Sequence, residues 1–324
     1  MLSSNRHPAR GSKIRLSAVV FLAVAFLLVS FGGNSWAAPA KKQPQQTFPT
    51  AEAAVQALIQ AMKDHDQKQL LAVLGLQGKH LITSGDPVAD REGRERFLKL
   101  YEEKNQLTKE GDSKVVLEIG SELWPMPIPI VKVGDAWLFD TQAGKEEILN
   151  RRIGRNELSA MKVCLAYVDA QLEYSAKDRD GDGILEYAQK IVSTEGKQDG
   201  LFWEATSGAE PSPLGPFAAK AAGEGYTKKK PGGKPSPYHG YFYKVLTAQG
   251  KHARDGAREY LVKNNMIGGF ALVAYPARYG SSGIMTFIVN HDGIVYEKDL
   301  GKNTAKIARS MRLFDPDSTW KKVQ

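Results

Sequence analysis

The 324-residue sequence contains a single cysteine, Cys164, so no disulfide bond can form within the chain. A chain of this length buries enough apolar surface to be stable without such cross-links, and its length favours two domains. Cys164 falls on a strongly periodic predicted helix. We therefore expect a buried, unreactive thiol at this position rather than a nucleophile.

The sequence also lacks the short motifs of several enzyme classes. It has no His-Glu-x-x-His zinc motif, no Gly-x-Ser-x-Gly nucleophile turn, no phosphate-binding loop and no dinucleotide-binding glycine pattern. Only His239 and His291 flank predicted strands, where they could face one cleft, and we interpret both as surface or hairpin residues. No groove-reading helix or aromatic stacking platform is evident, so we expect no nucleic-acid partner.

Long apolar runs are absent except for residues 16–31. The run is preceded by four basic residues and no acidic one: Arg6, Arg10, Lys13 and Arg15. This order, followed by small residues, predicts a secretory signal peptide over 1–37, cleaved after Ala37. The alternative is an uncleaved anchor, for which the run is short because a spanning helix needs roughly 20 apolar residues. We expect a periplasmic or secreted protein with no permanent membrane span.

Positive charge is in moderate excess. Removal of the signal peptide lowers the net charge from +8 to +4, because it takes away four basic residues and no acidic one. The remaining excess is concentrated in residues 228–230 and Lys234. Such a basic loop can touch phosphate or an anionic surface, although a run of this kind is commonly just solvated.

In the first half of the mature chain, the sequence pattern predicts a flexible leader at 38–48, followed by an N-terminal α+β domain at 49–153. Predicted helices begin at Thr50 and cover 68–74 and 91–101, and predicted strands cover 114–119, 128–133 and 136–140. Helices followed by a meander of strands resemble the cone-shaped domains of the cystatin and ketosteroid-isomerase type. Such cones often serve as binding or adaptor modules.

The second half, 154–324, predicts a long helix that starts after Asn156 and an antiparallel sheet that packs on it. Predicted strands cover 241–247, 269–275, 284–290 and 294–298, and an Asp-Gly turn joins the last two. Residues 207–238 hold six prolines and six glycines, so we predict a loop there. The fold class is therefore α+β.

The long helix carries a heptad-like apolar stripe. Its members, spaced by three and four residues, are Leu158, Met161, Leu165, Val168 and Leu172. We interpret this stripe as the face turned to the core rather than as a seam for a partner.

The most distinctive local pattern is an acidic turn. Its carboxylates are Asp178, Asp180, Asp182 and Glu186. Carboxylates at alternate positions with a turn-making glycine can converge on a calcium ion, which prefers oxygen ligands. Gln189 replaces the usual bidentate glutamate, so we expect weak affinity. The alternative is a solvated acidic turn at a helix end.

Five strings, at 199–203, 237–243, 268–276, 285–293 and 298–301, are similar to the bacterial domain-of-unknown-function family 2950. This resemblance implies an exported bacterial protein without an established activity. The heptad helix, the acidic turn and the closing hairpin also resemble the globular heads of type IV pilin-like proteins, in which an antiparallel sheet wraps a helix. The apolar helix contiguous with such a head is missing, so this second resemblance implies the fold of the head and not filament assembly.

These observations favour a non-catalytic binding or scaffold module of the envelope, whose partner is an envelope protein or polymer. The alternative is a hydrolase acting on envelope polymers with acids such as Asp182, Glu186 or Glu204. That activity requires two carboxyl groups about 5–10 Å apart in a cleft.

Overall fold

The computed structural model describes residues 45–205, 210–226 and 236–323. The predicted signal peptide, residues 38–44 of the predicted leader and the basic residues 228–230 and Lys234 lie outside these ranges. Over the ranges that are described, we find no helix with the length and apolar character needed to cross a bilayer.

Seven α-helices are present in the described ranges: α1 Ala51–Lys63, α2 Gln67–Leu74, α3 Lys79–Ile82, α4 Pro87–Glu103, α5 Thr141–Tyr174, α6 Gly215–Gly223 and α7 Thr304–Ser310. Short 3-10 turns occupy Leu76–Gly78 and Gly301–Asn303. The prediction that Thr50 caps α1 is confirmed, because its hydroxyl accepts the Ala53 N–H at 3.1 Å. Side chains of Asp66 and Asp86 cap α2 and α4 in the same way.

Fifteen strands are present in the same ranges: β1 Asn105–Lys109, β2 Lys114–Ile119, β3 Trp124–Pro125, β4 Ile130–Val133, β5 Ala136–Phe139, β6 Tyr241–Leu246, β7 Ala248–Gln249, β8 Arg258–Glu259, β9 Leu261–Val262, β10 Asn265–Met266, β11 Ala271–Pro276, β12 Met285–Asn290, β13 Val295–Asp299, β14 Leu313–Phe314 and β15 Lys321–Lys322. The α+β class is confirmed.

The first sheet is antiparallel, with strand order β1-β2-β4-β5 and with β3 paired to β2. Helices α1 and α2 cover it, and Leu58, Ile130 and Phe139 are fully buried between them. The end of the predicted leader belongs to this unit: Phe48 is buried and pairs with Trp137 of β5. An apolar side chain of that size is stabilised by burial, so Phe48 belongs to the folded unit rather than to a flexible leader.

The second sheet is antiparallel, with strand order β15-β13-β12-β11-β6. Strand β11 is buried along its whole length, with Ala271 opposite Asn290 of β12 and Pro276 opposite Tyr241 of β6. The predicted long helix, α5, packs on this sheet. Two small sheets, β9-β10 and β14-β7-β8, lie outside it.

Helix α5 is longer than the sequence indicates, with 34 residues from Thr141 to Tyr174. The prediction that Asn156 caps it is wrong: Asp140 is the N-cap, and Asn156 lies inside the helix, where its amide donates to the Ser282 carbonyl at 2.8 Å. No proline interrupts 141–174, so the helix continues through the predicted domain boundary at 153/154.

The prediction that the heptad stripe of α5 faces the core is wrong at both ends, since Leu158 is 57% and Leu172 51% exposed. In its middle the stripe does contact the core, since Val168 is buried and Met161 and Leu165 pack against the core cluster. The rest of the buried face consists of small, aromatic and amide side chains: Ala160, Cys164, Tyr167, Gln171 and Tyr174. These also recur every three to four residues. A polar residue is acceptable there because Gln171 is hydrogen-bonded to Tyr167 and to both backbone groups of Ala188.

The predicted loop 207–238 contains helix α6, which the proline and glycine content concealed. Pro216 lies in the first turn, where a missing N–H removes no helical hydrogen bond. The residues that follow it are mostly alanines, which favour a helix.

Candidate functional site

The acidic turn brings three of its four predicted ligands together. Carboxylate oxygens of Asp178, Asp180 and Asp182 all lie within 4.8 Å of one another, and all three residues are exposed. The chain turns at Gly181 and Gly183, whose φ angles of 78° and 85° favour glycine.

Backbone N–H groups hold these carboxylates in place. Asp178 accepts from Gly181 at 2.7 Å and from Gly183 at 2.9 Å. Both bonds stabilise the ionised carboxylate and lower the pKa of Asp178. Asp182 accepts the Ile184 N–H at 2.8 Å, so the turn is organised around charged oxygens.

The fourth predicted ligand, Glu186, does not belong to this group of oxygens. Its carboxylate accepts the backbone N–H of Met266 at 3.0 Å. Burial raises the pKa of Glu186, and the charges of Asp180 and Asp182 raise it further. Gln189 donates to the Asn264 carbonyl and therefore faces the same strand segment as Glu186.

That segment is the hairpin of β9 and β10, which turns at Lys263 and Asn264 with φ angles of 51° and 73°. Left-handed angles at both turn residues match the twist of a tight hairpin. Asn265 donates its amide to Asp182 at 2.7 Å, and Tyr187 donates its N–H to the Met266 carbonyl at 2.9 Å. We call residues 178–186 together with 261–267 the loop–hairpin surface.

The loop–hairpin surface also exposes apolar side chains. Its large exposed hydrophobic residues are Ile184 (41% exposed), Leu185 (57%), Val262 (44%) and Ile267 (44%). The sequence pattern does not reveal this feature, although Ile184 and Leu185 directly follow the acidic turn. Exposed apolar side chains beside clustered carboxylates are suited to binding a partner with apolar and basic groups.

The chemistry of the turn suits a hard cation. Calcium takes six to eight oxygen ligands, and three converging carboxylates repel one another without a cation. Asp178, Asp180 and Asp182 would supply the charge, and Glu186 would have to leave Met266 to join them. Calcium binding therefore stays a prediction, with low affinity expected.

Comparison with protein-family models shows the family of this chain. Residues 45–323 match the model of the family described as "Protein of unknown function (DUF2950)". The chain belongs to this family. The resemblance drawn from the five strings is thereby confirmed. No curated protein and no solved structure matched the chain.

The two histidines of this DUF2950 chain do not share a cleft. His239 lies beside the Pro276 end of β11, and His291 follows Asn290 at its Ala271 end. Because they lie at opposite ends of one strand, the alternative of a shared cleft does not apply.

Each histidine has a local partner. His239 Nε2 lies 3.1 Å from the Glu224 carboxylate. Burial lowers the pKa of His291, whose Nε2 lies 2.8 Å from Arg258 Nη2. Because a guanidinium only donates, this nitrogen must accept, and His291 is neutral.

The acids proposed for a hydrolase do not line either of two depressions at the surface of the described residues. Glu204 is exposed at the surface. The first depression, of about 650 Å³, is lined by the 3-10 turn Gly301–Asn303 and by α7, and the second, of about 450 Å³, by α1, His65 and α4. Tyr241 is fully buried and donates to the Met285 carbonyl, so its sheet face belongs to the core.

Proposed function

We propose that this DUF2950 protein is an exported, non-catalytic binding module of the cell envelope, and that the loop–hairpin surface holds another envelope protein. The observation that carries the proposal is the group of four large apolar residues exposed on two segments that hydrogen bonds join. Exposed apolar groups of this kind commonly mark interaction sites.

The surface is organised before any partner binds. Bonds from Asn265 to Asp182 and from Met266 to Glu186 join segments about 80 residues apart in the chain. A surface that is already ordered loses less conformational entropy on association. This favours recognition by shape and charge over binding coupled to folding.

Charge defines the partner. The turn presents the carboxylates of Asp178, Asp180 and Asp182 next to Leu185. A complementary protein surface would present apolar side chains beside lysine or arginine. A calcium ion on the three carboxylates would neutralise this attraction, so calcium would weaken the contact.

Export is supported by the N-terminal order of basic, apolar and small residues, which is typical of a signal peptide cleaved after Ala37. The weak calcium site expected here also fits a compartment outside the cytoplasm, where extracellular modules work with dissociation constants of about 10⁻⁴–10⁻³ M.

Site-specific photo-cross-linking tests the binding proposal. In one variant a photoreactive residue replaces Leu185. In the matched control variant the same photoreactive residue replaces Val133, a residue of β4 that is 61% exposed. We expect a discrete cross-linked protein from position 185 only. Its purified form should bind the wild-type chain, and Ile267→Asp should weaken that binding by about tenfold, roughly 1.4 kcal/mol. Identical products at both positions, or unchanged affinity of Ile267→Asp, would refute the proposal.

One observation favours the alternative of a hydrolase acting on envelope polymers. Burial and the nearby carboxyl groups of Asp180 and Asp182 raise the pKa of Glu186, as is common for the general acid in glycoside hydrolysis. Incubation with purified envelope polysaccharide and peptidoglycan tests it. Release of soluble fragments by the wild type, and its loss in Glu186→Gln, would establish this alternative in place of the binding module.

A further inference from the structure

The exposed face of α5 carries leucines at a regular interval. Leu158 and Leu172 are more than half exposed, and Leu165 lies midway between them, partly buried because it also packs against the core. Residues seven apart lie on the same side of a helix, since seven residues make nearly two turns. A helix face with leucines every seven residues is typical of a surface that packs against another helix.

The charges on this face change sign along the helix. Arg155 and Lys162 are exposed in the N-terminal half, and Asp169 and Glu173 are exposed in the C-terminal half. Among the described residues, none of these four has an ion-pair partner. The row of leucines therefore has a positive half and a negative half, and within the described ranges neither half is neutralised by an ion pair.

We propose that α5 packs against α5 of a second copy of this chain, antiparallel and related by a two-fold axis near Leu165. In this arrangement Leu158 of one copy meets Leu172 of the other, and the basic half of each helix faces the acidic half of its partner. A parallel pair would place like charges opposite each other, which is unfavourable. The two-fold axis makes one surface complementary to itself.

The contact is small. From Arg155 to Glu173 the helix rises about 27 Å, so a contact made by this face alone falls below the roughly 800 Å² per partner of a standard interface. The dimer should therefore dissociate on dilution. This inference is independent of the loop–hairpin surface, because it uses residues outside that surface.

Cysteine cross-linking tests the orientation. The native Cys164 is fully buried, and burial raises its pKa to about 12, so it contributes no background reaction. Full mature chains carrying Leu158→Cys or Leu172→Cys are oxidised separately and as a mixture. In the antiparallel dimer, identical positions lie about 21 Å apart along the axis, beyond the reach of a disulfide.

We expect disulfide-linked dimers from the mixture and none from either variant alone. Dimers from each variant alone would indicate a parallel pair and overturn the proposed orientation. No cross-link in any sample, together with a monomeric mass of the wild type by sedimentation at millimolar concentration, would overturn the dimer itself.

Charge exchange provides a second measurement that does not depend on cysteine chemistry. Lys162→Glu should raise the dimer dissociation constant about tenfold, because the change acts twice in a symmetric dimer, and adding Asp169→Lys should restore it. Lys197→Glu, an exposed change away from α5, is the matched control. Equal effects of Lys162→Glu and Lys197→Glu, or failure of the double variant to recover, would contradict the proposed contact.

Discussion

Asp86 connects the N-terminal helices to the second sheet through a buried carboxylate that is 1% exposed. One oxygen caps α4 by accepting the N–H groups of Val88 and Ala89, both at 3.2 Å. The other accepts the Tyr226 hydroxyl at 2.9 Å and the Gly240 N–H at 2.8 Å. Replacing this residue by alanine therefore removes two different kinds of interaction.

The size of the effect follows from these contacts. Loss of a helix cap costs about 1 kcal/mol of unfolding free energy. Without the carboxylate, the buried Gly240 N–H and the Tyr226 hydroxyl would each lose their hydrogen-bond acceptor. Each unsatisfied donor lowers the free energy of unfolding by about 1–3 kcal/mol. We expect Asp86→Ala to lower the free energy of unfolding by about 4 kcal/mol.

Asp66→Ala is the matched control. Asp66 caps α2 by accepting the N–H groups of Lys68 and Gln69, at 2.8 and 3.1 Å, and it has no buried donor to satisfy. Its replacement should cost about 1 kcal/mol. Urea denaturation followed by circular dichroism measures both variants, and with a slope near 3 kcal/mol/M the midpoints should differ by about 1 M. Equal midpoints would refute the role assigned to the buried oxygen.

Three further predictions concern a close backbone contact, pH and calcium. Gly144→Ala should destabilise the protein, because its Cβ would lie 2.2 Å from the Pro127 carbonyl oxygen. A Cβ at Gly154, on the same helix, would have no atom within 4 Å, so Gly154→Ala should raise the free energy of unfolding by up to about 1 kcal/mol. Equal melting temperatures of the two variants would contradict this. Partial burial raises the pKa of Asp199, but hydrogen bonds from Lys190 and neighbouring groups outweigh this and lower it to about 2. A depressed carboxyl pKa contributes stability above its unfolded value, and that stability is lost as pH falls from about 4 to 2. Because the Asp199 side chain is 34% exposed, we expect it to contribute only about 1 kcal/mol to the free energy of unfolding, and Asp199→Asn should lack this contribution. The unfolding free energies of the two proteins, measured from pH 5 down to pH 2, should therefore converge at the acid end. Parallel curves would contradict the role assigned to Asp199. Titration calorimetry should show weak calcium binding to the wild type, and Asp180→Ala should abolish it. If the wild type gives no heat of binding at millimolar calcium, the prediction is refuted.

Elements with a strong local signal could be predicted from the sequence. The strand at 114–119 alternates little but is rich in β-branched residues, and its predicted bounds coincide with β2. The Thr50 cap and the hairpin between β12 and β13 depend on neighbouring residues only, so their prediction needs no tertiary information.

Features decided by packing could not be predicted. The large leucines of α5 suggested a core face, whereas the core selects Ala160, Cys164 and Tyr167, which fit closely against β11 and β12. Hydrophobicity alone does not reveal which of two stripes faces the sheet.

The candidate site shows the same division. The convergence of three aspartates followed from their alternate spacing, and it is present. The binding of Glu186 to Met266, 80 residues away, and the resulting apolar surface depend on the tertiary fold. No local pattern in the sequence indicates that these segments meet.

Export to the envelope is tested most directly by the mass and location of the mature protein in its native cell. We predict that intact-protein mass spectrometry of the periplasmic fraction or the culture medium finds a chain that begins at Ala38. A chain that retains Met1 and remains in the cytosolic fraction would contradict export, and with it the assignment to the envelope.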